Sequence, residues 1–318
     1  MICVVRSLLT LGLLCSSSAQ AKPTTYTDTR CATPPVVKTT GFRHKRSKLI
    51  AKLASPNHRG IDLIANEDDT EQRIAGKLAY GKLDKDIEDE EVVVFACFEA
   101  GWKPLGTART DDDGRFLLTL AGTARLSLGM RDLYVAVLGD GSGTYFVGYV
   151  APRGTKVVVT DVDGTLSWSE NAIVKTVIKR SHDIGHRPHA PEALAQLPYP
   201  IVYTTARGDV FIDITRSWLE RHGFPRGLLR LSLGAFARPG ERAIAYKTAT
   251  LQALPVSVAA GIGNRKSDIT AYESIGLDAK RIFIHLPEYE TEVRRDLDAG
   301  KAIGFADYAE LPKLVPSP

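Results

Sequence analysis

The stretch Lys156-Val-Val-Val-Thr-Asp-Val-Asp-Gly-Thr-Leu166 constrains the fold more than any other in this chain. A β-branched apolar run passes directly into two aspartates one residue apart, which predicts a buried parallel strand ending in a polar loop. Open α/β sheets gather their ligands at such strand ends. Alternation along an extended chain directs Asp161 and Asp163 to one side, and Gly164 permits an immediate turn away. Two carboxylates this close repel unless a cation or a shared proton relieves them, which suggests a hard divalent ion such as Mg²⁺. A solvated Asp-rich turn after a core strand is the alternative.

Beyond this strand the pattern alternates. Ile201 to Thr205, Leu228 to Ser232, Ser257 to Gly261 and Arg281 to His285 read as short buried strands. Phe211 to His222, Glu241 to Leu251 and Ser267 to Ile275 have helical spacing, the first stopped by Gly223. This alternation predicts an α/β domain over 154–318, with a parallel sheet and right-handed crossovers. Several further strand ends then fall near Asp161. Thr205 and Arg207 offer a donor pair suited to a phosphate oxygen, and Lys247 an ammonium. Asn264 and Asp268 offer oxygen ligands for Mg²⁺. Each alone has an ordinary structural role as turn residue, solvated helix face or helix cap.

Before the central strand the chain changes character. Over 71–153 six short β-rich runs, punctuated by Asp113-Gly114 and Gly139 to Gly143, predict an antiparallel sandwich of immunoglobulin-like or transthyretin-like kind. The brief Ala151 to Thr155 connection predicts that the two domains pack together. The acidic residues between Asp84 and Glu91 read as a solvated hairpin loop, with a cation site as the alternative.

The remainder is N-terminal. Residues 1–21 combine Arg6, an apolar run from Leu8 to Leu14 and the ending Ala19-Gln-Ala21, the layout of a signal peptide, so the chain is expected to be exported to a periplasmic or extracellular space. A lipoprotein processed at Cys15 is the rival, and Leu14 argues against it. The formal charge of +4 would fall to +3 without Arg6, and the remaining cysteines would be Cys31 and Cys97. An exported compartment permits their pairing, although Cys97, in an apolar run, reads as an inert buried thiol. The segment 22–70 is basic: from Lys22 to Arg59 stand nine cations against Asp28 alone. Within 43–53 a short helix would group Leu49, Ile50 and Leu53 among cations. That helix is expected either to associate peripherally with anionic membrane or to form a solvated basic arm packed on the protein. Nucleic acid is not expected as a partner, since the stretch has no aromatics for stacking.

Asp161-Val-Asp-Gly-Thr165, Thr205, Lys247 and Asn264 to Asp268 resemble the four ordered motifs of the haloacid-dehalogenase-like phosphotransferases, a Rossmann-like fold. More narrowly, Asp161 to Glu170, Tyr203 to Arg207, Thr215 to Leu219 and Gly263 to Tyr272 resemble the catalytic domain of lipins. The C-terminal domain of membrane-associated phosphatidylinositol transfer proteins is a longer match, about Arg73 to Ile284, and leaves the basic segment uncovered. In those proteins the first acidic motif is degraded, whereas Asp161, Asp163 and Thr165 keep the lipin form. Thr205 departs from the lipin serine, and the helix carrying Lys247 is not clearly aligned.

The resemblance implies a Mg²⁺-dependent phosphatase, with phosphatidic acid converted to diacylglycerol. It implies Asp161 as nucleophile and Asp163 as acid and base. Thr205 and Lys247 would be further catalytic residues, while Gly164, Thr165 and Arg207 would bind substrate. Asp161, Asp163 through its main-chain carbonyl, Asn264 and Asp268 would hold the metal. A non-catalytic phosphatidic-acid-binding module and a phosphatase for a soluble phosphomonoester are the alternatives. The histidines from His182 to His189, with Lys175, Lys179, Arg180 and Arg187, read as one helix and a solvated cationic loop rather than a metal cluster.

Overall fold

The computed structural model describes residues 26–168, 184–232 and 241–318, apart from the side chains of 241 and 242. The expected signal peptide, and Lys175, Lys179, Arg180 and His182, lie outside the described residues.

The chain enters through helix α1 (Lys45–Leu53) and ten strands: β1 (Arg59–Ile61), β2 (Leu63–Asn66), β3 (Glu71–Lys77), β4 (Ala79–Tyr80), β5 (Lys85–Asp86), β6 (Glu91–Phe98), β7 (Gly101–Arg109), β8 (Arg115–Ala121), β9 (Gly129–Val137) and β10 (Gly143–Ala151). Strands β1-β3-β8 form one antiparallel sheet. Order β2-β10-β9-β6-β7 forms the other, antiparallel except where β2 lies parallel to β10. Inward side chains of both sheets, among them Ile74, Val94, Phe116, Leu133 and Phe146, make one core, so this half is a β-sandwich.

The sandwich starts earlier than position 71. Strands β1 and β2 lie inside the stretch read as a basic arm, because their charged residues are buried by pairing. Arg59 meets Asp84 and Asp209. Asp62 accepts from two backbone amides and from Arg216. Cys97 is also not a free thiol: it is disulfide-bonded to Cys31, 66 residues away in sequence. The acidic run does not stand as a solvated loop, because the arm's cations neutralise it. Arg43 and His44 meet Asp89, Arg46 meets Glu88, and Glu90 accepts the backbone amides of Arg43 and His44.

After the Pro152–Thr155 turn the second half runs β11 (Lys156–Asp161), α2 (Ala190–Ala195), β12 (Ile201–Gly208), α3 (Ile212–Arg221), β13 (Leu228–Ser232), α4 (Glu241–Gln252), β14 (Ser257–Gly263), α5 (Lys266–Glu273), β15 (Ile282–His285), α6 (Glu290–Asp298), β16 (Ile303–Phe305) and α7 (Leu311–Leu314). Its six strands, in order β13-β12-β11-β14-β15-β16, are all parallel. The first strand of the domain therefore sits where the order reverses, and the crevice beyond β11 and β14 is the topological switch point.

Alternation divides β11. Val158 faces a core with Leu194, Trp218 and Tyr308, while Val157 and Val159 face Tyr272, Ile269 and Val293 on the other side. Ile64, Val147 and Tyr149 of the sandwich join that second core, so the two halves share apolar packing, as the short connection predicts. Asp62 fixes the junction by accepting from Val147 N and Leu229 N at 2.8 Å each. No helix among the described residues is long and apolar enough to cross a membrane.

Candidate functional site

Asp161 ends β11 and is only 3% exposed. One oxygen lies 2.7 Å from Lys247 Nζ, and the other accepts from Thr165 Oγ1 at 3.0 Å. The Asp161 pKa is raised to about 7: burial pushes it up most, Lys247 pulls it down, and Asp268 and Asp163 add to the rise. Burial acts against the Lys247 ammonium, but Asp161 and then Asp268 outweigh it and hold the pKa above its ordinary value. The side chain of Lys247 comes from α4, so this crossover helix, which was hard to align, does reach the centre.

Asp268 does not face the site as a free ligand. Its Oδ2 accepts from the backbone amides of Asn264 and Arg265 at 3.0 and 3.1 Å, and its Oδ1 lies 2.5 Å from Lys247 Nζ. It ties the β14–α5 turn to Lys247 and thereby positions both. Gly263 makes this possible, since a Cβ there would stand 2.4 Å from the Cβ of Asp268.

Asp163 converges on the same strand end but is held by separate partners. Thr205 Oγ1 donates to it at 2.6 Å, and Arg207 forms an ion pair with it. Arg207 also donates to Thr215 at 3.3 Å. Thr205 and Arg207, expected to meet a phosphate, meet Asp163 in this structure. The match is electrostatic: a carboxylate offers the guanidinium and the hydroxyl the same kind of anionic oxygen acceptors that a phosphate would.

Three residues supporting this loop were not singled out as site residues from sequence. Arg187 Nη2 donates to Gly164 O at 2.8 Å and pairs with Glu288. Ser167 Oγ accepts from Gly164 N at 3.2 Å, and Tyr308 donates to Thr165 O at 2.9 Å. Gly164, at φ 73°, makes the turn that a side chain would strain. Of the loop histidines, His186 packs edge-on against His222 and Phe224, and His182 lies outside the described residues.

A divalent cation is implied by the resemblance, and the donors can be tested for fit. Thr165 Oγ1 lies 3.0 Å from Asp161 and 3.1 Å from the Asn264 side chain, yet a hydroxyl donates only one proton. Both contacts are satisfied if the Asn264 amide nitrogen donates to Thr165 and Thr165 donates to Asp161. The other terminal atom of Asn264, buried and without a partner, is then its oxygen. Among the described residues no group of three or more His, Cys, Asp or Glu side chains could hold a metal. A mixed set of Asp161, Asn264 and the Asp163 carbonyl fits a hard cation, with Asp268 acting from behind.

Comparisons agree with this division of the chain. Residues 56–150 match the family model "PITM 1-3, beta-sandwich domain" and residues 158–285 match "PITM 1-3, LNS2 domain". Membrane-associated phosphatidylinositol transfer protein 3 of Mus musculus is 30% identical over 274 residues, covering 84% of this chain and 27% of that protein. The Homo sapiens counterpart is 30% identical over 247 residues, covering 76% of this chain and 24% of that protein. Protein retinal degeneration B of Drosophila melanogaster is 30% identical over 244 residues, covering 76% and 19% respectively. The chain thus spans about a quarter or less of the length of these relatives.

Proposed function

We propose that this chain, related through both folded regions to the LNS2 and β-sandwich domains of the PITM 1-3 proteins, is a Mg²⁺-dependent phosphomonoester hydrolase acting on phosphatidic acid. The single observation carrying this reading is the arrangement of Asp161. Its buried carboxylate is oriented by Thr165 and Lys247 at the switch point, beside an Asn264 amide with one unpartnered atom.

Asp161 attacks phosphorus and becomes a transient aspartyl-phosphate, dividing one displacement into two. Lys247 neutralises charge on the transferring oxygens while Asp268 keeps it in place. Arg207 and Thr205 exchange Asp163 for the phosphoryl group when substrate arrives. Asp163, so released, takes up a proton from solvent, gives it to the departing alkoxide and then recovers one from the attacking water. Asp161, Asn264 and the Asp163 carbonyl would hold a hard cation, which would supply further charge neutralisation. The lipid substrate is supported by the relatives' names, which describe membrane-associated phosphatidylinositol transfer proteins. The Cys31–Cys97 disulfide suits an oxidising compartment, in keeping with the expected export.

A second reading rests on the clamp around Asp163. A carboxylate held by Arg207 and Thr205 is a poor proton donor, which favours a module that binds phosphatidic acid without hydrolysing it. Phosphate release separates the two. The hydrolase reading predicts release from phosphatidic-acid vesicles that requires Mg²⁺, stops with chelator and exceeds release from soluble phosphomonoesters. Lipid binding without release supports the module, and equal or better turnover of soluble esters removes the lipid assignment.

A further inference from the structure

We propose that the outer face of α1 and the neighbouring turn Gly81–Asp84 together form a docking surface for an anionic lipid bilayer. The structure redraws what the sequence grouped. Ile50, Ala51 and Ala54 pack against the sandwich core, and Ser47 is buried with them. At about 100° per residue this leaves Leu49 and Leu53, four apart, on the opposite side. They are 58% and 75% exposed. Lys45, Lys48 and Lys52 share that exposed side, and no ion pair engages them among the described residues.

The turn between β4 and β5 continues the surface. Gly81 N donates to Ser55 O at 2.8 Å, and a Cβ on Gly81 would stand 3.0 Å from that of Ala54, so the turn abuts the end of the helix. At its tip Leu83 is 81% exposed, flanked by exposed Lys82 and Lys85. The acids nearby are already neutralised from within: Asp84 by Arg59 and Lys77, Asp86 by Lys77, Glu88 by Arg46. Three leucines and five lysines without carboxylate partners remain.

That chemistry selects the occupant. A second copy of the same face would set lysines against lysines, whereas an anionic bilayer accepts the leucines and attracts the ammonium groups. The turn is also tied to the candidate centre. Asp84 pairs with Arg59 at 2.5 Å, and Arg59 Nε lies 3.2 Å from Asp209, two residues beyond Arg207. Docking would therefore hold the membrane two side chains from the strand end that binds Asp163. The inference takes from the proposed function only the reason a bilayer is useful, namely a lipid headgroup as substrate.

The test is co-sedimentation of the full chain with phosphatidylcholine vesicles made with or without phosphatidic acid. The proposal predicts binding only to the anionic vesicles. Leu49→Ser/Leu53→Ser/Leu83→Ser should weaken it about tenfold or more, and so should Lys45→Gln/Lys48→Gln/Lys52→Gln. Arg43→Gln/Arg46→Gln, whose cations are occupied by Asp89 and Glu88, should change it by less than about threefold. Undiminished binding by the leucine variant, or equal binding to neutral vesicles, overturns the surface. Wild-type protein that binds in this manner yet releases no phosphate from any ester retains the docking surface and removes the hydrolase reading instead.

Discussion

Asp62, at the junction made by the sandwich, and Asp161, in the parallel sheet, are both carboxylates with almost no exposure, and they are satisfied in different ways. Asp62 accepts from Arg216 and from two backbone amides, one on each oxygen, and those amides cannot leave without disturbing a strand. Asp161 is held by an ammonium on a flexible stem and by one hydroxyl, beside an unpartnered amide atom. Burial alone therefore does not mark a reactive carboxylate. What distinguishes Asp161 is that its partners are exchangeable and that other polar strand ends converge on it.

The sharpest way to break this comparison is to remove each charge in turn. Asp161→Asn should abolish phosphate release while leaving the melting temperature near that of wild type, because removing the charge leaves no nucleophile. Near-normal turnover would sink the nucleophile assignment. Asp163→Asn should slow release by ~10²–10⁴-fold, the usual range for general acid–base help. A loss under tenfold would take that role away. Asp62→Ala should do the reverse, costing about 3–5 kcal/mol of stability by stranding Arg216 and two buried amides. Rates per folded molecule should hold, as checked by denaturant titration alongside the assay.

A smaller effect concerns buried groups that carry no charge at neutral pH. Burial lowers the pKa of His58 and of His285 to about 4, from 6.5. Between these values the unfolded chain binds protons that the folded one refuses, so the stabilising contribution is full above pH 6.5 and is lost as pH falls towards 4. At ~1.4 kcal/mol per pKa unit, His58 contributes up to about 3 kcal/mol across that window. His58→Gln should flatten the fall in stability between pH 7 and pH 4.5, measured by urea unfolding. An unchanged slope would mean that His58 is not the neutral, buried base described.

The sequence was most informative where local pattern and tertiary role agree. The β-branched run before Asp161 and the run Leu228–Ser232 are strands in the structure, because both are apolar enough to be buried on two faces. Strands β1 and β2 were hidden, since Arg59 and Asp62 look like a solvated arm until their distant partners are known. The charged helix α6 and short β16 escaped for want of an apolar signature. In α1 three apolar residues suggested one face, but the packed side was decided by Ala51 and Ala54 meeting the sandwich.

The candidate site divides similarly. The residue types at the strand ends were legible, whereas the pairing of Asp163 with Arg207, the placement of Lys247 between Asp161 and Asp268, and the Cys31–Cys97 link depend on contacts across the fold. Arg187 was read as part of a solvated loop and instead holds the carbonyl of Gly164.

Covalent phosphorylation of Asp161 is the central step, and rapid acid quenching with phosphatidic acid carrying a labelled phosphate measures it directly. The prediction is a hydroxylamine-sensitive label on the protein within the first turnover, mapping to the peptide that contains Asp161 and absent from Asp161→Asn. Labelled inorganic phosphate released at full rate with no label ever retained on that peptide, or a label that persists in Asp161→Asn, would contradict it.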